Sequence, residues 1–424
     1  MQYAQMSKAE LEKEFLAVTE QYKKCKSLNL NLNMSRGKPS KVQLDLSNEL
    51  LHCVSIAEDC IIDGIDVRNY GEISGLSCAK EYWADVLGCK PEQVFVGGSS
   101  SLNLMYDVIS RAYTHGLLHS TQPWCREEKI KFLCPSPGYD RHFLVTQTFG
   151  AELIAVPMTD SGPDMDVVEA LVKDPLVKGI WCVPKYSNPD GIIYSDDTIR
   201  RFAALKPAAP DFIVMWDNAY IVHEFDGDYV PFPDILSLAK EYGNEDLFVE
   251  FASTSKITYA GGGISAAVMS EANIAYFTKL MNIQTISFDK VNQLRHVRFL
   301  KDKANTIALM KRHAEIVRPK FNVVADMLDE EIKPLGIARW NRPKGGYFIS
   351  FNTMPGTAKR ALALCKEAGV VFTPAGATFP YGIDPDDTNI RLAPSFPPVE
   401  ELVQGMNVFC TCVKLAALEK LLSK

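Results

Sequence analysis

Residues 212–256 read FIVMWDNAYIVHEFDGDYVPFPDILSLAKEYGNEDLFVEFASTSK. Two apolar runs, Phe212 to Trp216 and Leu247 to Ala252, each stop abruptly in polar residues: Asp217-Asn218-Ala219-Tyr220 after the first, Ser253-Thr254-Ser255-Lys256 after the second. Short, nearly continuous apolar runs of this kind fit strands covered on both faces. Five more occur at Gln93 to Val96, Lys129 to Cys134, Glu152 to Val156, Gly179 to Val183 and Ile264 to Met269, with helical patterns between them. The pattern predicts an α/β fold: a seven-stranded, mostly parallel sheet between helices.

The flanks read differently. Ser7 to Lys26 carries Leu11, Phe15, Leu16, Val18 and Tyr22 at helical spacing, and the segment NLNMSRGKPS after it is too rich in Asn, Ser, Gly and Pro for helix or strand. Beyond residue 295 the pattern predicts one long charged helix from Arg295 to Leu328, a strand from Tyr347 to Phe351 and a final helix from Pro398 to Leu422. That is the outline of a smaller α+β domain. The expected division is an N-terminal arm (1–48) contributing to the small domain, a large domain (49–295) and a small C-terminal domain (296–424).

With 424 residues the chain is long enough for two or three well-filled domains. Its balance of 45 basic against 52 acidic residues, a net charge of −7, argues against nucleic acid or an anionic membrane as the main partner. The opening residues MQYAQMSKAELEKEFLAV lack an apolar stretch behind a basic start, and no run of eighteen apolar residues occurs, so neither a signal peptide nor a membrane span is expected. Eleven cysteines without CxxC spacing read as free thiols of a reducing, cytoplasmic protein, with no metal site.

In open α/β sheets a ligand lies beyond the carboxyl ends of the strands, so the residues just after each run carry the chemistry. Ser99, Ser100 and Ser101 follow the first run and lead into a helix; they form either a phosphate cradle at the helix N-terminus or a plain N-cap. Tyr139 follows the second run and offers a flat ring. Asn188 lies in a turn marked by Pro189 and Gly191. Asp217, directly after four apolar residues and a Trp, needs a cationic partner if it is partly desolvated. Lys256 ends another run amid hydroxyls, a position that alone would read as a solvated surface charge.

Together these residues form an ordered set. Tyr70 and Gly75 in NYGEISGL, the serines of GGSSSLNL, Tyr139, Asn188-Pro189-x-Gly191, Asp217-x-x-Tyr220, Ser253-x-Ser255-Lys256 and Arg391 in NIRLAPS resemble the class I aminotransferases of the pyridoxal-phosphate (PLP) fold type I superfamily. The wording SRGKPS, GGSSSLNLMYD, PGYDRHF, STSKITYAGGG and DKVNQLRH is most similar to a bacterial subgroup of aspartate aminotransferases. The resemblance spans Arg36 to Ser395. It departs from many relatives at Ile264, where an arginine eight residues after the lysine pairs with the cofactor phosphate.

The resemblance implies that Lys256 carries PLP as a Schiff base and moves the substrate proton, and that Asp217 protonates the pyridine nitrogen. It implies hydrogen bonds from Asn188 and Tyr220 to the ring oxygen, Tyr139 packed on the ring, and phosphate contacts from Ser99, Ser100, Ser101, Ser253 and Ser255. Tyr70 would reach in from the second subunit of a homodimer. Arg391 would clamp the α-carboxylate with two hydrogen bonds. For L-aspartate and 2-oxoglutarate a second cation is needed, and the choice falls on Arg36, with Gly37 in the same loop and Lys290 as a helper from the partner. The alternative for Arg36 is a purely structural tie. Two other function classes remain at this level, a non-catalytic PLP or amino-acid sensor and a PLP lyase.

Overall fold

The computed structural model describes residues 2–423. All seven apolar runs are strands: β1 (Val94–Gly97), β2 (Lys131–Ser136), β3 (Glu152–Thr159), β4 (Val177–Cys182), β5 (Ile213–Asp217), β6 (Phe248–Ser253) and β7 (Ser265–Met269). With a two-residue edge strand, Gly162–Pro163, they form one sheet in the order β1-β7-β6-β5-β4-β2-β3-edge. The neighbours β6/β5, β5/β4, β4/β2 and β2/β3 are parallel, and β7 runs antiparallel to both β6 and β1. Alternation places side chains of one strand in different cores: Val214 and Trp216 pack on one face of the sheet, Ile213 and Met215 on the other. Both faces are covered, as continuous apolar runs demand.

Helix α1 (Lys8–Ser27) is capped by Ser7, whose side chain accepts from the Glu10 backbone N–H while Glu10 reaches back to the Ser7 N–H. Helices α2 (Ser101–Thr114) and α3 (Asp140–Thr148) begin just past the carboxyl ends of β1 and β2. Where the sequence predicts one helix from Arg295 to Leu328 there are two, α4 (Lys290–Leu300) and α5 (Lys303–Glu331). The break has a local cause. Lys301 turns to φ 63°, and Asp302 caps α5 by accepting from the Asn305 N–H at 2.7 Å.

The predicted strand at Tyr347 to Phe351 lies two residues further on. It is the middle of a three-stranded antiparallel sheet, β8 (Ala338–Trp340), β9 (Ile349–Thr353) and β10 (Asn389–Leu392). The last helix, α6 (Val399–Leu422), is long and apolar enough to cross a membrane by length and composition, but Leu402, Met406, Phe409 and Val413 are buried in a core. That core also takes Leu11, Val18 and Tyr22 of α1 and Val317, Phe321 and Val324 of α5. A smaller aromatic cluster, Tyr186, Tyr220, Tyr347 and Phe348 with Val183 and Ala393, joins the large-sheet strand ends to the small sheet. The candidate site opens beside it.

Candidate active site

A cleft of about 910 Å³ lies beyond the strand ends, and Arg36, Gly37, Tyr139, Asn188, Asp217, Tyr220, Lys256 and Arg391 all line it. Residues drawn from six separate stretches of sequence thus meet in one place. Lys256 follows β6, and its Nζ lies 5.0 Å from the centroid of the buried Tyr220 ring. Burial lowers the Lys256 pKa from the ordinary lysine value, while the negative charge of Asp217 draws it back up. A lysine so placed gives up its proton more readily than a surface lysine. Burial also pushes the Tyr220 phenol up, so it remains a hydrogen-bond donor.

Asp217 ends β5 and is buried. Its partner is His142, a residue the sequence reading did not single out although it lies in the quoted PGYDRHF. His142 Nε2 sits 2.9 Å from Asp217 Oδ2, and the imidazole is stacked on Trp181 with ring centroids 4.4 Å apart. Asp217 Oδ1 is buried and has no hydrogen-bond partner. A carboxylate held at one oxygen, with the other left desolvated and open, is set to receive a donor from a ligand.

The serines converge as well. Ser255 Oγ donates to the Ser99 carbonyl at 2.8 Å, and Ser253 Oγ to Ser255 Oγ at 3.2 Å, which draws the β6 end to the start of α2. Ser100 caps α2 by accepting from the Leu102 N–H at 3.2 Å, and Ser101 is its buried first residue. The N-cap and cradle readings of this segment are therefore compatible, because the capped helix still presents its positive end. Ile264 is buried and its N–H donates to Thr254 Oγ1 at 2.9 Å, so the position bearing arginine in many relatives is packed into the core.

Arg391 stands on β10, in the small sheet. Its Nη1 donates to Asp140 Oδ1 at 3.0 Å and to Asn188 Oδ1 at 3.3 Å, and its guanidinium lies 4.9 Å from the Phe348 ring centroid. Gly37 fits against the same ring: a Cβ there would come within 2.4 Å of Phe348 Cζ, so the loop can approach only as glycine. Tyr139, the N-cap residue of α3, packs its ring edge-on to His142, and burial pushes its phenol up to about 12. Tyr70 and Lys290 do not line this cleft. Tyr70 is 78 % exposed, whereas Lys290 is buried with its Nζ unpartnered, beside Gly71.

The residues fit a phosphorylated pyridine aldehyde. An amine of lowered pKa, a buried carboxylate oxygen lacking a donor, a flat ring and a helix N-terminus with hydroxyls match its aldehyde, ring nitrogen, ring face and phosphate. Among the described residues no cluster of His, Cys, Asp or Glu is arranged to hold a metal ion.

Comparison with known proteins agrees with this geometry. The family model described as aspartate amino-transferase matches residues 6–424. A Corynebacterium glutamicum protein named aspartate aminotransferase is 48% identical over 402 residues, covering 95% of this chain and 93% of that one. A crystal structure of an aspartate transaminase from the same organism superposes with a TM-score of 0.95 at 47% identity, over 97% of each chain. An α-aminoadipate aminotransferase from Thermus thermophilus, solved with N-(5'-phosphopyridoxyl)-L-leucine, superposes with a TM-score of 0.74 at 21% identity, over 98% of this chain and 96% of that one. That likeness extends the shared fold well beyond close relatives, and the α/β architecture is the fold type I arrangement expected from the sequence. Matched along almost its whole length, the chain belongs to the aspartate aminotransferase family.

Proposed function

We propose that this aminotransferase uses PLP to move the amino group of L-aspartate to 2-oxoglutarate, giving oxaloacetate and glutamate. The observation that carries the reading is the meeting of Lys256, the open oxygen of Asp217 and Arg391 in one cleft. Bound there, PLP supplies the electron sink for the bond broken at the substrate α-carbon. Lys256 Nζ would hold the cofactor and, once free, would act as the base that takes the proton from the substrate α-carbon. Asp217 Oδ1 keeps the ring nitrogen protonated. Asn188, whose Oδ1 already accepts from Arg391, has its amide N–H groups left to donate to the ring oxygen, together with the Tyr220 hydroxyl. Tyr139 packs on the ring.

The phosphate falls to the α2 N-terminus and to Ser99, Ser100, Ser101, Ser253 and Ser255. Tyr70 joins them from a second subunit of a homodimer, a reading supported by the exposure of Tyr70, Ile283 and Ile286 on this chain. Arg391 binds the α-carboxylate and Arg36, beside Gly37, the second carboxylate. A cytoplasmic location agrees with the eleven free cysteines.

The test is oxaloacetate formation by the holoenzyme with and without 2-oxoglutarate. Strict dependence on the acceptor supports transfer. Without acceptor a transferase stops at one equivalent of oxaloacetate per active site; continued turnover of aspartate without acceptor would mark a lyase, and PLP binding without any turnover would mark a sensor.

A further inference from the structure

Asp140 takes no part in the roles assigned so far, yet it is the closest partner of Arg391. It is the first residue of α3, below the large sheet's β2 end, while Arg391 stands on the small sheet 251 positions further along the chain. The Arg391 side chain is 8 % exposed and that of Asp140 29 %. Asp140 Oδ1 and Asn188 Oδ1 both accept from Nη1, whereas Nε is buried without a partner. The protein therefore grips one end of the guanidinium and leaves the side-on edge, Nε with Nη2, for a carboxylate to engage with two parallel hydrogen bonds.

We propose that Asp140 is the resting counter-ion of Arg391, a positioning residue whose charge limits how tightly the enzyme holds the carboxylates of its substrates and products. The proposal rests on the reading of Arg391 as the α-carboxylate clamp. An empty clamp is a buried cation, which is costly when unpaired, and every catalytic cycle passes through that state. Asp140 supplies the missing anion, in the first turn of a helix where a carboxylate is favoured. A substrate carboxylate on the free edge then meets a second negative charge across the same guanidinium. Its binding is weakened, and an oxo-acid product leaves more easily for the same reason.

Isothermal titration of the holoenzyme with succinate, an unreactive dicarboxylate, at fixed ionic strength tests this. Asp140→Asn is isosteric, keeps an acceptor for Nη1 and removes the charge; the absorbance band of bound PLP reports that the variant is folded. It should bind succinate about tenfold tighter than wild type, the size expected for one like charge removed at about 6 Å in a partly solvated cleft. Unchanged or weaker binding by Asp140→Asn overturns the proposal. Arg391→Gln separates this from the reading beneath it. If Arg391→Gln loses succinate affinity while Asp140→Asn is unchanged, only the counter-ion role falls; if Arg391→Gln binds like wild type, the clamp itself is misassigned and both fall.

Discussion

His142 Nε2 lies 2.9 Å from Asp217 Oδ2, and the other carboxylate oxygen, Oδ1, is buried with no partner. One side of the carboxylate is thus fixed by the protein, and the imidazole that fixes it is itself held flat against Trp181. Asp217→Ala should retain some cofactor but lose most activity, with Asp217→Glu less damaging. His142→Phe keeps the stack and deletes the donor. Loss of one buried hydrogen bond to a charged group costs about 1.5–3 kcal/mol, so kcat/KM should fall roughly ten- to a hundredfold. Full activity in Asp217→Ala, measured at saturating PLP, would contradict the role given to the carboxylate.

Lys256 is the only lysine placed against Tyr220 and Asp217 in the cleft among the described residues. The purified protein should be yellow. Lys256→Ala should lose the visible absorbance of covalently bound cofactor and nearly all turnover, read by spectrophotometry and a coupled oxaloacetate assay. Substantial transamination by the variant would displace Lys256 from its role.

Arg391→Lys tests shape rather than charge. A lysine keeps the cation but cannot reach Asp140, Asn188 and a carboxylate with the same planar fork. Since two parallel charge-assisted bonds become at most one, kcat/KM should drop by about 1.5–3 kcal/mol for every amino donor, whatever its side chain. A loss confined to dicarboxylic donors would instead move Arg391 to the distal end of the substrate.

Burial determined how much of this was legible in the sequence. Six of the seven large-sheet strands are buried along nearly their whole length and so read as apolar runs, while β3, near the sheet edge, exposes Ala155, Pro157 and Thr159; β8 and β10, with three and four residues, are too short to show a period. The break between α4 and α5 was missed because the amphipathic pattern continues through it, while a single capping aspartate, Asp302, interrupts the backbone. Lys256, Asp217 and Asn188 are legible because each lies at or past the carboxyl end of a strand. His142 and Asp140 are not, since their importance comes from what lies across the cleft, and PGYDRHF does not reveal that Asp140 meets Arg391 or that His142 meets Asp217.

Glu250, on β6, gives the protein a pH-dependent stability apart from catalysis. Its Oε1 accepts from Asn218 Nδ2 at 2.7 Å, and its Oε2 is buried unpartnered. Burial raises its pKa from 4.5 to about 8, against the opposing pull of the Asn218 hydrogen bond. Between those two values the folded state keeps a proton that the unfolded chain releases, so stability falls as pH rises through the window and levels off above about pH 8. Glu250→Gln carries no such proton. Its Tm should match wild type near pH 5 and exceed it by a few degrees near pH 8.5, by scanning calorimetry. Parallel Tm curves across the window would remove Glu250 as the source.

The remaining question is which cation reads the second carboxylate of a dicarboxylic donor. Arg36 lines the cleft on the glycine-marked loop, and its side chain makes no hydrogen bond or ion pair among the described residues. The alternative of a purely structural tie therefore lacks a visible partner. Two other cations share the rim: Lys38, whose Nζ lies 4.0 Å from the centroid of Phe396, and Arg141, next to Asp140, which the sequence reading passed over. Lys38 is engaged and lacks the planar fork, which leaves the two arginines. Both line the cleft, but only Arg36 carries the SRGKPS loop wording of the aspartate subgroup, so it is the stronger candidate. Arg36→Ala should cost about 2 to 4 kcal/mol in kcat/KM, roughly thirty- to a thousandfold, for aspartate and glutamate, and far less for alanine or an aromatic donor. A panel of amino donors against wild type, Arg36→Ala and Arg141→Ala decides it. Equal losses for all donors in Arg36→Ala would sink its specificity role, a dicarboxylate-selective loss in Arg141→Ala alone would transfer the role to Arg141, and a wild type that prefers neutral donors would sink the aspartate reading itself.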